Sequence, residues 1–191
     1  MFADDARRSA NLGPTPGAVV IGMGNILYHD EGVGVYGARA LDTCFRFEPE
    51  IEIVDGASLG FGVISYFVQP TSVVVLDAIA ADAPTGTIYR LPARELCNLG
   101  SDLRPTAHEV DPIQMLKLAP ALGGEPDMVL VGIVPENTSE LCVGLTLTLA
   151  AQFNRYVGAA VDELRDRGIT VEQVAPVALE HVVASLSSGV R

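Results

Sequence analysis

Apolar positions along this chain follow two spacings. Short continuous runs bounded by turn residues, AVVIGM (18–23), IEIVD (51–55), SVVVLDA (72–78), TIYRL (87–91) and MVLVGIV (128–134), have the length and β-branched content of buried strands. Between them the apolar spacing lengthens. Residues 32–47 place Val33, Val35, Tyr36, Ala40, Leu41 and Cys44 mostly at helical intervals, and LGFGVISYFV (59–68) predicts a shorter helix that Pro70 ends. Asp111-Pro112 opens a further helix, Asp as cap and Pro in the first turn, running to about Leu118. A long helix is predicted within 145–167 and closed by Gly168; residues 169–191 read as a short strand or loop and a peripheral helix.

Strand, helix and strand in succession imply a parallel sheet with helices on both faces. One connection departs from this rule. AIAADAPTG (78–86) is shorter than the roughly dozen residues a parallel crossover needs, so 87–91 is predicted antiparallel to 72–78. The expected fold class is α/β, a three-layer α/β/α arrangement around a mixed five-stranded sheet, mostly parallel with one antiparallel strand. If the first strand lies between the second and third, a crevice opens at the C-terminal ends of strands one and three. Glu31 then follows strand one and Asp77 ends strand three. With no repeat or linker, we expect a single domain over 17–168, a flexible leader over 1–16, and a C-terminal extension over 169–191 packed on the domain or trailing from it.

At 191 residues with 49% hydrophobic content the chain is long enough to bury a substantial core. Its 12 Lys and Arg stand against 24 Asp and Glu, a net charge of −12 that argues against a nucleic-acid partner. MFADDARRSANLGPTPG carries acidic residues where a signal peptide needs an apolar run, and no apolar stretch reaches the ~18 residues of a membrane helix. A cytoplasmic protein without a membrane partner is therefore expected. Cys44, Cys97 and Cys142 show no C-x-x-C spacing and read as reduced core thiols.

VVIGMGNILYHDEG (19–32) starts like a nucleotide-binding strand and glycine turn, yet it sets Asp30 and Glu31 where a phosphate would sit. Gly22 and Gly24 give G-x-G without the third glycine of the dinucleotide fingerprint, although Asp55 at the end of strand two would be the ribose acid of that alternative. Asp30 and Glu31 have a plain use at a helix start, as cap and as complement to the helix dipole. Asp77 is harder to explain that way, because four apolar residues precede it and a buried acid is costly. His108, in RPTAHEVDP, lies in a third loop, while His29 and His181 read as a loop neighbour and a residue of the terminal helix. Glu31, Asp77 and His108 together make a mixed oxygen and nitrogen donor set suited to a borderline divalent ion with positions left open.

Five segments in order resemble the hydrogenase maturation proteases, nickel-dependent endopeptidases that trim the large subunit of nickel–iron hydrogenases. GMGNILYHDEGVGV resembles the family's opening motif, IVDGASLG its second, VVLDAI its aspartate strand, TAHEVDPIQML its histidine segment, and LVGIVPE with GLT its closing elements, so that the similarity runs from about Ala18 to Leu164. The chain departs from the family in GAS where Gly-Gly-Thr is commoner, in Thr106 where Ser is usual, and in the tail beyond Gly168. The resemblance implies a mixed five-stranded sheet with one antiparallel strand, and nickel bound by Glu31, Asp77 and His108. It implies an enzyme grouped with the aspartic-type endopeptidases and acting as an enzyme activator. The substrate would be the nickel-loaded large-subunit precursor, which supplies the nickel and loses a C-terminal peptide, and the free protease would be a monomer. Either a carboxylate or a water polarised by the nickel would activate the attacking water, and the residues do not choose between them. A nickel-sensing chaperone that inspects the same ion without cutting is the rival from another class, and a Rossmann-like nucleotide-binding enzyme is the third reading.

Overall fold

In chain order, β1 (Val19–Gly22) leads through a 3-10 turn (His29–Gly32) into α1 (Val33–Cys44), followed by β2 (Phe45–Glu48) and β3 (Glu52–Asp55). Two short helices, α2 (Gly56–Leu59) and α3 (Ile64–Val68), precede β4 (Ser72–Ala80), β5 (Ile88–Pro92) and α4 (Ala93–Asn98). Then come β6 (Arg104–Pro105), α5 (Pro112–Leu118), β7 (Asp127–Ile133), α6 (Leu147–Asp166), β8 (Thr170–Gln173) and α7 (Leu179–Ser187). This computed structural model describes residues 17–69, 72–98, 104–105 and 111–187. The expected leader 1–16 and the loop bearing His108 lie outside the described residues.

The main sheet has the order β3-β1-β4-β7-β5. Along this order the pairings are parallel except for β5, which runs antiparallel to β7; the two-residue β6 joins the end of β4, also antiparallel. The first strand does lie between the second and third of the sequence reading. The 87–91 run has the predicted direction but pairs with β7 rather than with β4, because β7 takes the edge of β4 from Ser72 to Ala78.

Side-chain alternation along β4 divides the core. Val74, Leu76 and Ala78 face a cluster built with Tyr36 and Leu41 of α1, Phe153 and Tyr156 of α6 and Val182 of α7. Val73, Val75 and Ile79 face the other cluster, with Phe67 of α3 and Met115 and Leu116 of α5. Helices therefore cover both faces, and Asp77, between Val75 and Ile79, falls on the α3–α5 side.

Several boundaries differ from the sequence reading. Helix α1 stops at Cys44, and Phe45–Glu48 pairs antiparallel with Thr170–Gln173, so the aromatic alternation of Phe45 and Phe47 serves a strand. The 59–68 helix is broken: Gly60 has φ 51°, a left-handed value, and separates α2 from a 3-10 turn (Gly60–Val63) and α3. Strand β4 continues three residues past Asp77, so that acid does not end it. Cys142 is exposed, against the expectation of a core thiol, whereas Cys44 is buried as expected. Residues 169–187 are part of the folded body, since Ile169, Val171 and Val182 are buried in the first cluster.

Candidate functional site

Two buried carboxylates lie near the level at which β1 stops. Gly22, its last residue, pairs with Asp55 of β3 on one side and Leu76 of β4 on the other, and Asp77 is the next residue along β4. Beyond that level the chain leaves the sheet, with Met23 N–H still donating to the Leu76 carbonyl at 2.8 Å. The 3-10 turn carrying Glu31 packs back against β4. Asp77 is 0% exposed and Glu31 is 6% exposed. The Asp77 Oδ1 accepts the N–H of Ala78 at 2.8 Å. Burial of a carboxylate costs several kcal/mol unless hydrogen-bond donors or a cation replace the lost water.

Glycine makes the approach of the turn possible. Gly24 has φ 118°, and a Cβ there would strike the carbonyl of Glu31. Gly24 thus serves the close approach of the protein's own backbone at the turn. Asp55 has a structural task, accepting the N–H groups of Ala57 at 3.0 Å and Ser58 at 3.4 Å as the cap of α2.

Asp30 behaves unlike its sequence reading. It caps no helix; α1 has Gly32 as its N-cap residue and no side-chain cap. Its fully buried carboxylate instead accepts the N–H groups of Glu136 (2.9 Å), Asn137 (3.1 Å) and Thr146 (2.8 Å) and the Thr146 hydroxyl (2.9 Å). These partners lie 106 to 116 residues away, so no local pattern announces them. Only the Asx turn at Asn137, whose Oδ1 accepts from Ser139 and Glu140 N–H, leaves a sequence trace in the N-x-S run.

Tyr156, absent from the sequence reading, donates from below the site to the carbonyls of Val131 at 3.2 Å and Asp77 at 3.4 Å. Burial, reinforced by the negative charge of Asp77, holds its phenol well above the ordinary range, so it remains a neutral donor. Tyr36 is also raised, chiefly by burial, and links Ile26 carbonyl to Gly144 N–H. Among the described residues no three His, Cys, Asp or Glu side chains are grouped to hold a metal ion. Of the three expected ligands, Glu31 and Asp77 are buried and His108 lies outside the described residues.

The hydrogenase maturation protease family model matches residues 35–163. The hydrogenase expression/formation protein HupM of Azotobacter chroococcum is 27% identical over 87% of this chain and 84% of its own. The hydrogenase 2 maturation protease of Escherichia coli is 29% identical over 79% of this chain and 92% of its own. Among solved structures, the hydrogenase maturating endopeptidase HybD from E. coli superposes with a TM-score of 0.72 at 26% identity, covering 82% of this chain and 96% of that one.

Proposed function

Because this chain belongs to the hydrogenase maturation protease family, we propose that it removes a C-terminal peptide from the nickel-loaded precursor of a nickel–iron hydrogenase large subunit, with Glu31, Asp77 and His108 meeting the substrate's nickel. The observation that carries this reading is the buried pair Glu31 and Asp77 at the end of β1. Two carboxylates with an imidazole suit a borderline divalent ion, and the absence of thiolate from this set leaves soft ligation to the substrate's own cysteines. The metal is thus part of the substrate, and its presence reports that the precursor is loaded.

The chain around His108 supports its role. Pro105 pairs with Ile79, two residues beyond Asp77, and α5 starts at Pro112 with Asp111 accepting Ile113 N–H at 2.7 Å. His108 is therefore tethered within three residues of each anchor, roughly 10 Å of extended chain. The α5 anchor belongs to the side of the sheet on which Asp77 lies.

No helix among the described residues is long and apolar enough to cross a membrane. The proposed protease is a monomer when free and meets its precursor in the cytoplasm. A non-cutting nickel sensor would use the same three residues, but family membership favours hydrolysis. The experiment is to mix metal-free protein with nickel-loaded and nickel-free precursor and follow mass. Trimming of the loaded form alone is expected. Equal trimming of both forms, or trimming only after the protease itself is preloaded with metal, would overturn the substrate-borne nickel reading, and no trimming of either would favour the sensor.

A further inference from the structure

We propose that Asp30 is a positioning residue for this hydrolysis, a buried post that locks the 136–146 loop to the turn presenting Glu31. The inference rests on the reading of Glu31 above. None of the four donors to the Asp30 carboxylate carries a charge, and all come from one loop: Glu136, Asn137 and both polar groups of Thr146. The Asp30 N–H in turn donates to the Asn137 carbonyl at 3.1 Å, so main chain and side chain of one residue grip the same loop.

Burial holds little of that loop in place. Leu141 is 72% exposed and Val143 48% exposed, while Leu145, partly buried at the end of the loop, packs against the first core cluster. What fastens the rest of it is polar, and among the described residues its long-range hydrogen bonds land on residues 26–36. Cys142 N–H donates to Leu27 carbonyl at 2.9 Å, His29 N–H to Cys142 carbonyl at 2.8 Å, and Gly144 N–H to the Tyr36 hydroxyl at 3.0 Å. Glu31 lies in the middle of that segment.

Geometry couples the two neighbours. In a 3-10 turn successive side chains are about 120° apart, so fixing the bearing of Asp30 fixes that of Glu31. The turn also needs holding, because His29 adopts φ 48°, a left-handed conformation that a non-glycine residue adopts only when its surroundings impose it. Loss of the Asp30 contacts would free the turn to relax and swing Glu31 away from Asp77.

The test uses Thr146→Val, which keeps shape and removes the hydroxyl, and Thr146→Ser, which keeps it; Thr146→Ala replaces the valine variant if that does not fold. Thr146 also caps α6 through Leu149 N–H, so a matched destabilisation control is needed. Arg167→Gln supplies it, since Arg167 ties α6 to Asp127 at the start of β7, the opposite end of the sheet. Nickel chloride is titrated calorimetrically into each free protein, precursor trimming is followed by mass, and urea midpoints are recorded. Thr146→Val should weaken nickel binding and slow trimming by about tenfold, the scale seen when a group orienting a metal ligand is lost. Thr146→Ser and Arg167→Gln should stay within about twofold of the parent on the same scale. A valine variant that binds and trims like the parent, or an Arg167→Gln loss of equal size at equal urea midpoint, would overturn the positioning role. A parent that trims no precursor would overturn the underlying reading and this inference with it, a result visible before any variant is made.

Discussion

Near the level at which β1 stops three carboxylates are taken out of water. Asp30 is satisfied by four donors of its own chain. Glu31 and Asp77 are buried as well, and in the proposed function they meet the substrate's nickel. Glu31→Ala, Asp77→Ala and His108→Ala should each reduce trimming by more than the roughly 10- to 100-fold typical of lost second-layer partners in metal sites, with far-ultraviolet circular dichroism unchanged. Normal trimming by His108→Ala would remove that residue from the ligand set. A second residue-scale prediction concerns pH. Tyr66 donates to Glu52 Oε1 at 2.6 Å, and burial, aided by that carboxylate, pushes its phenol up to about 12. The folded state therefore keeps a proton that the unfolded chain releases near about pH 10, so this contribution is complete below about pH 10 and is lost as pH climbs toward 12. Tyr66→Phe should flatten the fall in urea midpoint between about pH 9.5 and 11.5, while the parent shows it.

At the scale of elements, the site depends on how closely α1 lies on the sheet. A Cβ at Gly34, in the first turn of α1, would meet the carbonyls of Leu76 and Met23, both backbone groups that side-chain rotation cannot move aside. Gly34→Ala should therefore cost about 1–3 kcal/mol or more, although alanine is intrinsically the better helix former, and thermal unfolding measures it. An unchanged or raised Tm would show that the helix can lift without strain. The helix itself was legible from its 3.6-residue spacing, but its end was not. Nothing local distinguishes Phe45 and Phe47 on a helix from the same pair on a strand, and the antiparallel partner at Thr170–Gln173 decides. The broken 59–68 segment is the converse case. Gly60 and Gly62 carry the local reason in the sequence, and the apolar spacing hides it.

On the scale of the molecule, the residues after Gly168 close one face of the protein. Ile169, Val171 and Val182 are buried in the cluster that holds α1 and α6, and β8 gives β2 its pairing. Ending the chain at Gly168 removes these three buried side chains and should lower stability by on the order of 5 kcal/mol, taking about 1.5–3 kcal/mol for each as an upper estimate. The drop in Tm of the shortened protein measures it; an unaltered Tm would mean that the extension covers the face without supporting it. At the C-terminal end of α6, Arg167 joins Glu163 at 2.7 Å and Asp127 at 2.7 Å, which fixes α6 at the start of β7.

The sequence by itself determined the five strands of the main sheet and its mixed direction. These follow from continuous apolar runs, from helical apolar spacing and from one connection too short to cross the sheet, all properties of neighbouring residues. It also pointed to His108 through the family's motifs, which no burial pattern would have singled out. Only the tertiary structure decided what Asp30 is for, because its donors come from residues 136–146, more than a hundred positions away. It likewise decided that Cys142 is exposed beside Tyr28 and that Tyr156 reaches the carbonyl of Asp77. Hydrophobic periodicity reports which face of an element is buried. It carries no record of which distant donor completes a buried carboxylate, since that is set by how the finished sheet brings its loops together.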